Sequence, residues 1–194
     1  MGIDPAKVRS FWEARAAKLD AGPYESIANL EENPDLLALK VELESECVLP
    51  RLALGPETRI LDLGAGVGQW AFRFAPRVRE VVAVEYAAGL VDIARREAER
   101  LELKNVEYVV SPAESFGSPE PFDVFFVSGL FVYLADDQVR ALLARIPDLV
   151  RPGGQLFVRD GASVLDHEHL IDDRESAILG SRYSARYRTV PDYQ

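Results

Sequence analysis

The sequence is poor in the residues that build covalent or metal-held frameworks. Its 194 residues include one cysteine, Cys47, and two histidines, His167 and His169. One thiol cannot close a disulfide within the chain, and this inventory is too small for a structural zinc site. No metal is therefore expected, and a reducing, cytoplasmic setting is. No apolar run approaches the roughly 20 residues of a membrane span. The opening stretch, MGIDPAKVRSFWEARAAKLD, lacks the basic cluster and apolar core of a secretory leader. Positive charge is scarce too: 22 Lys and Arg stand against 32 Asp and Glu, a formal net charge of -10. A binder of duplex DNA or structured RNA needs a basic face to neutralise phosphates. No basic run is visible, so neither nucleic acid nor a membrane is an expected partner.

What remains suits one globular domain, 48% hydrophobic and 28% charged. Val8, Phe11, Trp12, Ala16 and Leu19 recur at helical spacing and predict a helix over 5–20, broken by DAGPY (20–24). Asn33 followed by Pro34 marks a second helix start. That helix should run to about Val48, with Leu37, Val41, Glu44 and Val48 down one side. From residue 59 short apolar runs appear at 59–64, 80–85, 106–111, 122–128 and 155–160, as buried parallel strands require. Between them lie an amphipathic helix over 88–103 and one capped by Asp136 or Asp137, which Pro147 ends or bends. RPGG (151–154) reads as a turn. The alternation predicts an α/β fold with a doubly wound, mostly parallel sheet. In the tail, Asp172 or Asp173 could cap a short helix ending at Gly180. RYSARYRT (182–189) alternates like a strand, and TVPDY opens like a helix.

The stretch ILDLGAGVGQW (60–70) ends an apolar run in three glycines at alternate positions. Glycine lets the backbone turn with positive φ and touch a ligand. The helix that follows directs free N–H groups at an anion. A dinucleotide fingerprint, G-x-G-x-x-G, would place its third glycine at position 69, which is Gln69. The series Asp62-x-Gly64-x-Gly66-x-Gly68 instead resembles the first motif of the class I S-adenosylmethionine-dependent methyltransferases. Further landmarks follow in order over residues 59 to about 160.

The resemblance implies a Rossmann-like methyltransferase fold and S-adenosyl-L-methionine as cofactor. It places Gly64, Ala65, Gly66 and Gly68 against the methionine part, with Asp62 nearby. Glu85, ending the second strand, would accept both ribose hydroxyls, since a carboxylate has two oxygens for a vicinal diol. Tyr86 either covers the adenine or is a half-buried surface aromatic. In VVSPAESF (109–116), Pro112 stands where the family commonly has an acid. Ala113 could offer its N–H to the adenine and Glu114 the acid, or Glu114 could serve the turn. Ser128, Gly129 and Leu130 would floor the methyl site, with Phe131 and Tyr133 as core. The N-P-P-[YF] motif of nucleobase-amine methyltransferases is missing. LVRPGGQLFVRD resembles the family's turn and fifth strand.

On this basis residues 1–194 form a single domain. It divides into an N-terminal helical cap or lid (1–55), a cofactor-binding core (56–160) and a tail (161–194) on the acceptor side. The expected reaction is methyl transfer to an oxygen or nitrogen of a small metabolite, sugar or natural product. The alternatives are a non-catalytic module binding the cofactor or its demethylated product and, on weaker grounds, an NAD-dependent oxidoreductase. A hydroxyl acceptor would need a general base. Asp160, His167 and His169 are candidates, although both histidines also read as solvent-exposed loop residues. Tyr183, Arg186, Tyr187 and Arg188 either clamp an anionic acceptor or pack. Of Phe11, Trp12 and Tyr24, packing is expected for Phe11 and a lid contact for Tyr24. The family's C-terminal strand pair is expected to be absent or incomplete. That would leave an open sheet edge where a second copy could pair as a homodimer.

Overall fold

The computed structural model describes residues 3–19, 33–176 and 180–193. Five parallel strands form the central sheet: β1 (Arg59–Leu63), β2 (Glu80–Glu85), β3 (Val106–Val110), β4 (Phe122–Ser128) and β5 (Val150–Arg159). They lie in the order β3-β2-β1-β4-β5, so the winding reverses between β1 and β4. Every residue of β1 is buried, as a strand covered on both faces demands.

Alternate residues serve opposite faces. Ile60, Val81, Val124 and Phe126 meet Trp70 and Phe74 of helix α3 (Gln69–Phe74) and Val48 at the end of α2 (Pro34–Val48). Leu61, Leu63, Phe125 and Val127 meet Phe116 and Leu142, the latter from α5 (Asp136–Ala144). A third cluster joins α1 (Pro5–Ala16) to α4 (Ala88–Arg100) through Val8, Trp12, Ala16, Leu90 and Ile93.

Both N-terminal helices begin as their sequences dictate. Asp4 accepts the N–H of Ala6 at 2.9 Å before Pro5, and Asn33 accepts that of Asp35 at 2.9 Å before Pro34. Helix α1 ends at Ala16, short of the expected limit. Neither Asp136 nor Asp137 caps α5. Gln138 Oε1 accepts the Ala135 N–H at 3.1 Å instead, and the Asp136 carboxylate is taken by Arg186 and Arg188. Strand β5 absorbs the RPGG turn as an irregularity, with a register shift between Phe122 and Val124 and Gly153 at φ +77°.

The tail departs from expectation. The helix expected from Asp172 or Asp173 to Gly180 is replaced through Ser176 by strand β6 (His169–Ser176). Asp173 caps nothing: its carboxylate holds Lys7 at 3.2 Å and Arg182 at 3.0 Å. Strand β6 pairs antiparallel with β7 (Ser181–Tyr187), and Val190–Tyr193 adds a short 3-10 turn. A small C-terminal strand pair is thus present, against the expectation of one absent or incomplete. It forms its own two-stranded sheet and docks on α1, where Phe11 and Tyr183 lie 6.5 Å apart. Strand β5 therefore remains the edge of the main sheet. Leu156 and Val158 share the face of their register partners Phe125 and Val127, yet stay 44% and 37% exposed. No helix among the described residues is long and apolar enough to cross a membrane.

Candidate functional site at the carboxyl edge of the sheet

Ligands of open α/β sheets lie beyond the carboxyl ends of the strands, where the winding reverses. A cleft of about 270 Å³ opens there. Its floor comes from the turn after β1, where Gly64, Gly66 and Gly68 have φ of +77°, +56° and +84°. Those angles are costly for any residue with a Cβ. The turn is tied down by N–H donation from Gly64 and Ala65 to the Val84 carbonyl, at 2.9 and 3.0 Å.

Glu85 closes β2 beside this turn. Its Oε2 accepts the Gly66 N–H at 3.1 Å and its Oε1 the Ala87 N–H at 2.9 Å. Burial raises its pKa above the usual carboxylate range, while the N–H groups of Ala87, Gly66 and Tyr86 pull it down. Asp62 lies on β1 and does not border the cleft. Burial pushes its pKa up to about 7, the Ala71 N–H opposing and the Glu85 charge adding to the rise. Its Oδ2 accepts no hydrogen bond among the described residues.

Tyr86 borders the cleft and donates its hydroxyl to the Val8 carbonyl at 3.1 Å. Trp12 and Tyr133 also border it, packed edge to face at 5.1 Å. Trp12 is therefore both packed and cleft-lining, whereas Phe11 packs on Trp12 and Tyr183. Tyr24 lies outside the described residues. Ser128, Gly129 and Leu130 reach the cleft together from the end of β4.

Other expected site residues stand elsewhere. Ala65 packs against the α3-side core, and Gly68 occupies the N-cap of α3; neither borders the cleft. Nor do Ala113 and Glu114. Ala113 is buried in the α5-side core, and Glu114 Oε1 accepts from Gln138 at 2.9 Å, tying its turn to α5.

The base candidates are not gathered at the cleft. His167 is exposed and paired with Asp166 at 2.8 Å, and His169 lies beside Tyr187. Asp160 accepts the N–H groups of Phe131 and Gly161 at 2.5 and 2.9 Å and borders a separate cavity of about 700 Å³. Burial raises its pKa to about 6 against those hydrogen bonds. The tail arginines are engaged internally. Arg188 is buried and donates to the carbonyls of Phe131 and Leu134 and to Asp136, while Arg186 holds Asp136 and Glu168. No cluster of His, Cys, Asp or Glu among the described residues could hold a metal ion.

Sequence reasoning missed the far end of the cleft, formed by Arg159 at the end of β5 and by Leu37, Lys40, Val41 and Glu44 of α2. Arg159 donates to Ser128 Oγ at 3.0 Å and to Glu44 at 2.5 Å. The signal was present, since Leu37, Val41 and Glu44 share the side of α2 expected to face inward.

Residues 60–154 match a methyltransferase domain family. Phosphoethanolamine N-methyltransferase 1 of Triticum aestivum is 27% identical over 163 residues, covering 78% of this chain and 30% of that protein. The tRNA 5-carboxymethoxyuridine methyltransferase of Escherichia coli K12 is 26% identical over 146 residues, covering 72% of this chain and 55% of that protein. Among solved structures, Haemonchus contortus phosphoethanolamine N-methyltransferase 1, in complex with phosphoethanolamine and S-adenosylhomocysteine, gives a TM-score of 0.76. The identity is 19%, over 97% of this chain and 39% of that one, so the likeness is one of fold. The chain spans less than half the length of the first curated relatives that it matches, at 30%, 24% and 47%. The glycine turn, the strand order and the matched family agree, and residues 60–154 carry a methyltransferase domain of the class I S-adenosylmethionine-dependent kind.

Proposed function

We propose that this chain transfers a methyl group from S-adenosylmethionine to a nitrogen or oxygen of a small-molecule acceptor, in the cytoplasm. The observation that carries this reading is the convergence of the glycine turn, Glu85 and the end of β4 on one cleft. These residues fit the cofactor. Each oxygen of Glu85 already accepts one backbone N–H and keeps lone-pair capacity for the two ribose hydroxyls. A phosphate on that ribose would meet the same negative charge, which argues against NADP. Gly64 and Gly66 leave room for the methionine part, and Tyr86 borders the cleft next to Glu85. Asp62 stays out of the cleft and meets α3 through the Ala71 N–H. Residues 56–160 serve as the binding core, and α1 and α2 as its cap.

When bound, the cofactor supplies an activated methyl on a positively charged sulfur. The protein's part is to hold the acceptor in line with it and keep water out. Ser128, Gly129 and Leu130 set the floor on which the acceptor atom rests, and Trp12 and Tyr133 exclude solvent. The titratable groups bordering the cleft are Lys40, Glu44, Glu85, Tyr86, Tyr133 and Arg159. Glu85 serves the ribose and Glu44 is ion-paired. A neutral amine, which attacks through its own lone pair and releases its proton only after the methyl has moved, therefore fits better than a hydroxyl that must lose its proton to react. The net charge of -10 supports a small acceptor over RNA.

Calorimetric titration with S-adenosylmethionine, S-adenosylhomocysteine and NAD tests the cofactor, and the first two should bind while NAD does not. Transfer of labelled methyl to a panel of small amines, small alcohols and bulk tRNA tests the acceptor. Binding of NAD alone would overturn the reading. Cofactor binding with no transfer to any acceptor would leave a binding module.

A further inference from the structure

The cleft's polar groups are spread strand by strand. Glu85 ends β2, Gly64 follows β1, Ser128 ends β4 and Arg159 ends β5, in the order in which those strands adjoin. Neighbouring strands lie about 4.8 Å apart, so Arg159 stands roughly 14 Å from Glu85 along this edge. With the ribose at Glu85 and the methyl beside Ser128, Arg159 falls on the acceptor side.

The Arg159–Glu44 contact is a single-point pair, Nη2 to Oε1, not the two-point fork that guanidinium makes with a well-matched acid. The two side chains are 40% and 25% exposed, and a pair of that exposure adds little to stability. Helix α2 has other means of docking. Val41 and Val48 are buried, and Ser45 Oγ accepts from Arg73 at 2.9 Å. Glu44 Oε2 accepts no hydrogen bond among the described residues. The carboxylate thus neutralises Arg159 without completing its coordination.

We propose that Arg159 anchors an acidic group, carboxylate or phosphate, on the methyl acceptor, and that Glu44 is a placeholder which the acceptor displaces. This deepens the methyl-transfer reading and rests on it. An incoming acid with two oxygens exchanges one contact for two, and Glu44 turns toward solvent, to which it is already partly open. A neutral acceptor cannot make that exchange, so the pair also selects. Arg186 and Arg188, two of the tail's cations, do not compete, being held by Asp136 and Glu168.

The test uses the full chain saturated with S-adenosylhomocysteine at fixed ionic strength, titrated separately with inorganic phosphate and with acetate. Glu44→Gln should bind one of these anions at least about threefold more tightly than wild type, because the internal competitor has lost its charge. Arg159→Met should bind it at least about tenfold more weakly, and Arg159→Lys, a point charge without the fork, should fall between. Whichever anion tightens identifies the acid. S-adenosylhomocysteine affinity should stay within about twofold throughout, which also shows that each variant is folded. If Glu44→Gln binds both anions no better than wild type, the pair is structural and the proposal fails. It fails equally if Arg159→Met binds as wild type does. If wild type does not bind S-adenosylhomocysteine, the methyl-transfer reading falls, and the same anion titrations of the unliganded chain still judge Arg159.

Discussion

Glu85 and Gly66 are 3.1 Å apart, carboxylate to backbone N–H, so the residue that ends β2 holds the turn that leaves β1. One side chain thereby shapes the glycine turn and faces the proposed ribose. Glu85→Ala should weaken S-adenosylhomocysteine binding by about 1–3 kcal/mol, the cost of leaving polar partners unmatched. Glu85→Gln, which keeps one acceptor oxygen, should lose less. Calorimetry decides, and an unchanged affinity in the alanine variant would remove Glu85 from the site.

Gly64→Ala should cost both stability and affinity. Its φ of +77° disfavours any Cβ by about 1–2 kcal/mol. The added methyl would also lie 3.1 to 3.3 Å from the Leu130 side chain, pushing on the floor of the cleft. Gly180→Ala, at φ +57° with nothing within 4 Å of the new methyl, should cost stability alone. Denaturant melts paired with S-adenosylhomocysteine titration separate the two outcomes.

Asp62 should leave a mark on the pH dependence of stability. Its pKa rises from 3.8 to about 7 on folding, so between those values the folded chain holds a proton that the unfolded chain releases. This contribution is fully present below about pH 4 and is lost as pH rises through about 7. Asp62→Asn should accordingly be less sensitive to pH over that window. Without cofactor, it should be more stable than wild type at pH 8. Urea denaturation at pH 5 and pH 8 measures the difference, and equal slopes for the two proteins would refute it.

Arg188→Met should destabilise the chain by about 1–3 kcal/mol, the cost of leaving buried hydrogen-bond acceptors unmatched. The groups left unmatched are the carbonyls of Phe131 and Leu134, at 2.6 and 2.8 Å, while Asp136 keeps Arg186 at 2.8 Å. Leu130 and Tyr133 lie on the same segment and border the cleft, so S-adenosylhomocysteine affinity should fall as well. Thermal melts with and without that ligand report both effects.

The core of the fold was legible because its signals are local. Asn33-Pro34 and the short, mostly apolar runs of β1, β2 and β4 each state their own conformation. Gly64, Gly66 and Glu85 were legible as neighbours because the parallel order of β1 and β2 brings a turn and a strand end together. The tail was not. In His169–Ser176 the alternation is interrupted by the irregularity between Ile171 and Arg174, and two adjacent aspartates imitate a helix cap. The cation partners of Asp173, Lys7 and Arg182, are set by the folded chain and not by the neighbouring residues. Arg159 and Glu44 were missed for a similar reason. Neither is unusual in its own stretch, and only α2 laid across the end of β5 makes them a pair.

The docking of β7 on α1 has a consequence for biosynthesis. Helix α1 is made before the elements on which it packs. Its inner side finds α4 before the sheet is finished, but Phe11 waits for Tyr183 until the segment after β5 has left the ribosome. Trp12 sits between those two contacts. The wall it gives the cleft is therefore set after the sheet, and a nascent chain stalled after β5 would carry a finished sheet beside an unfinished mouth.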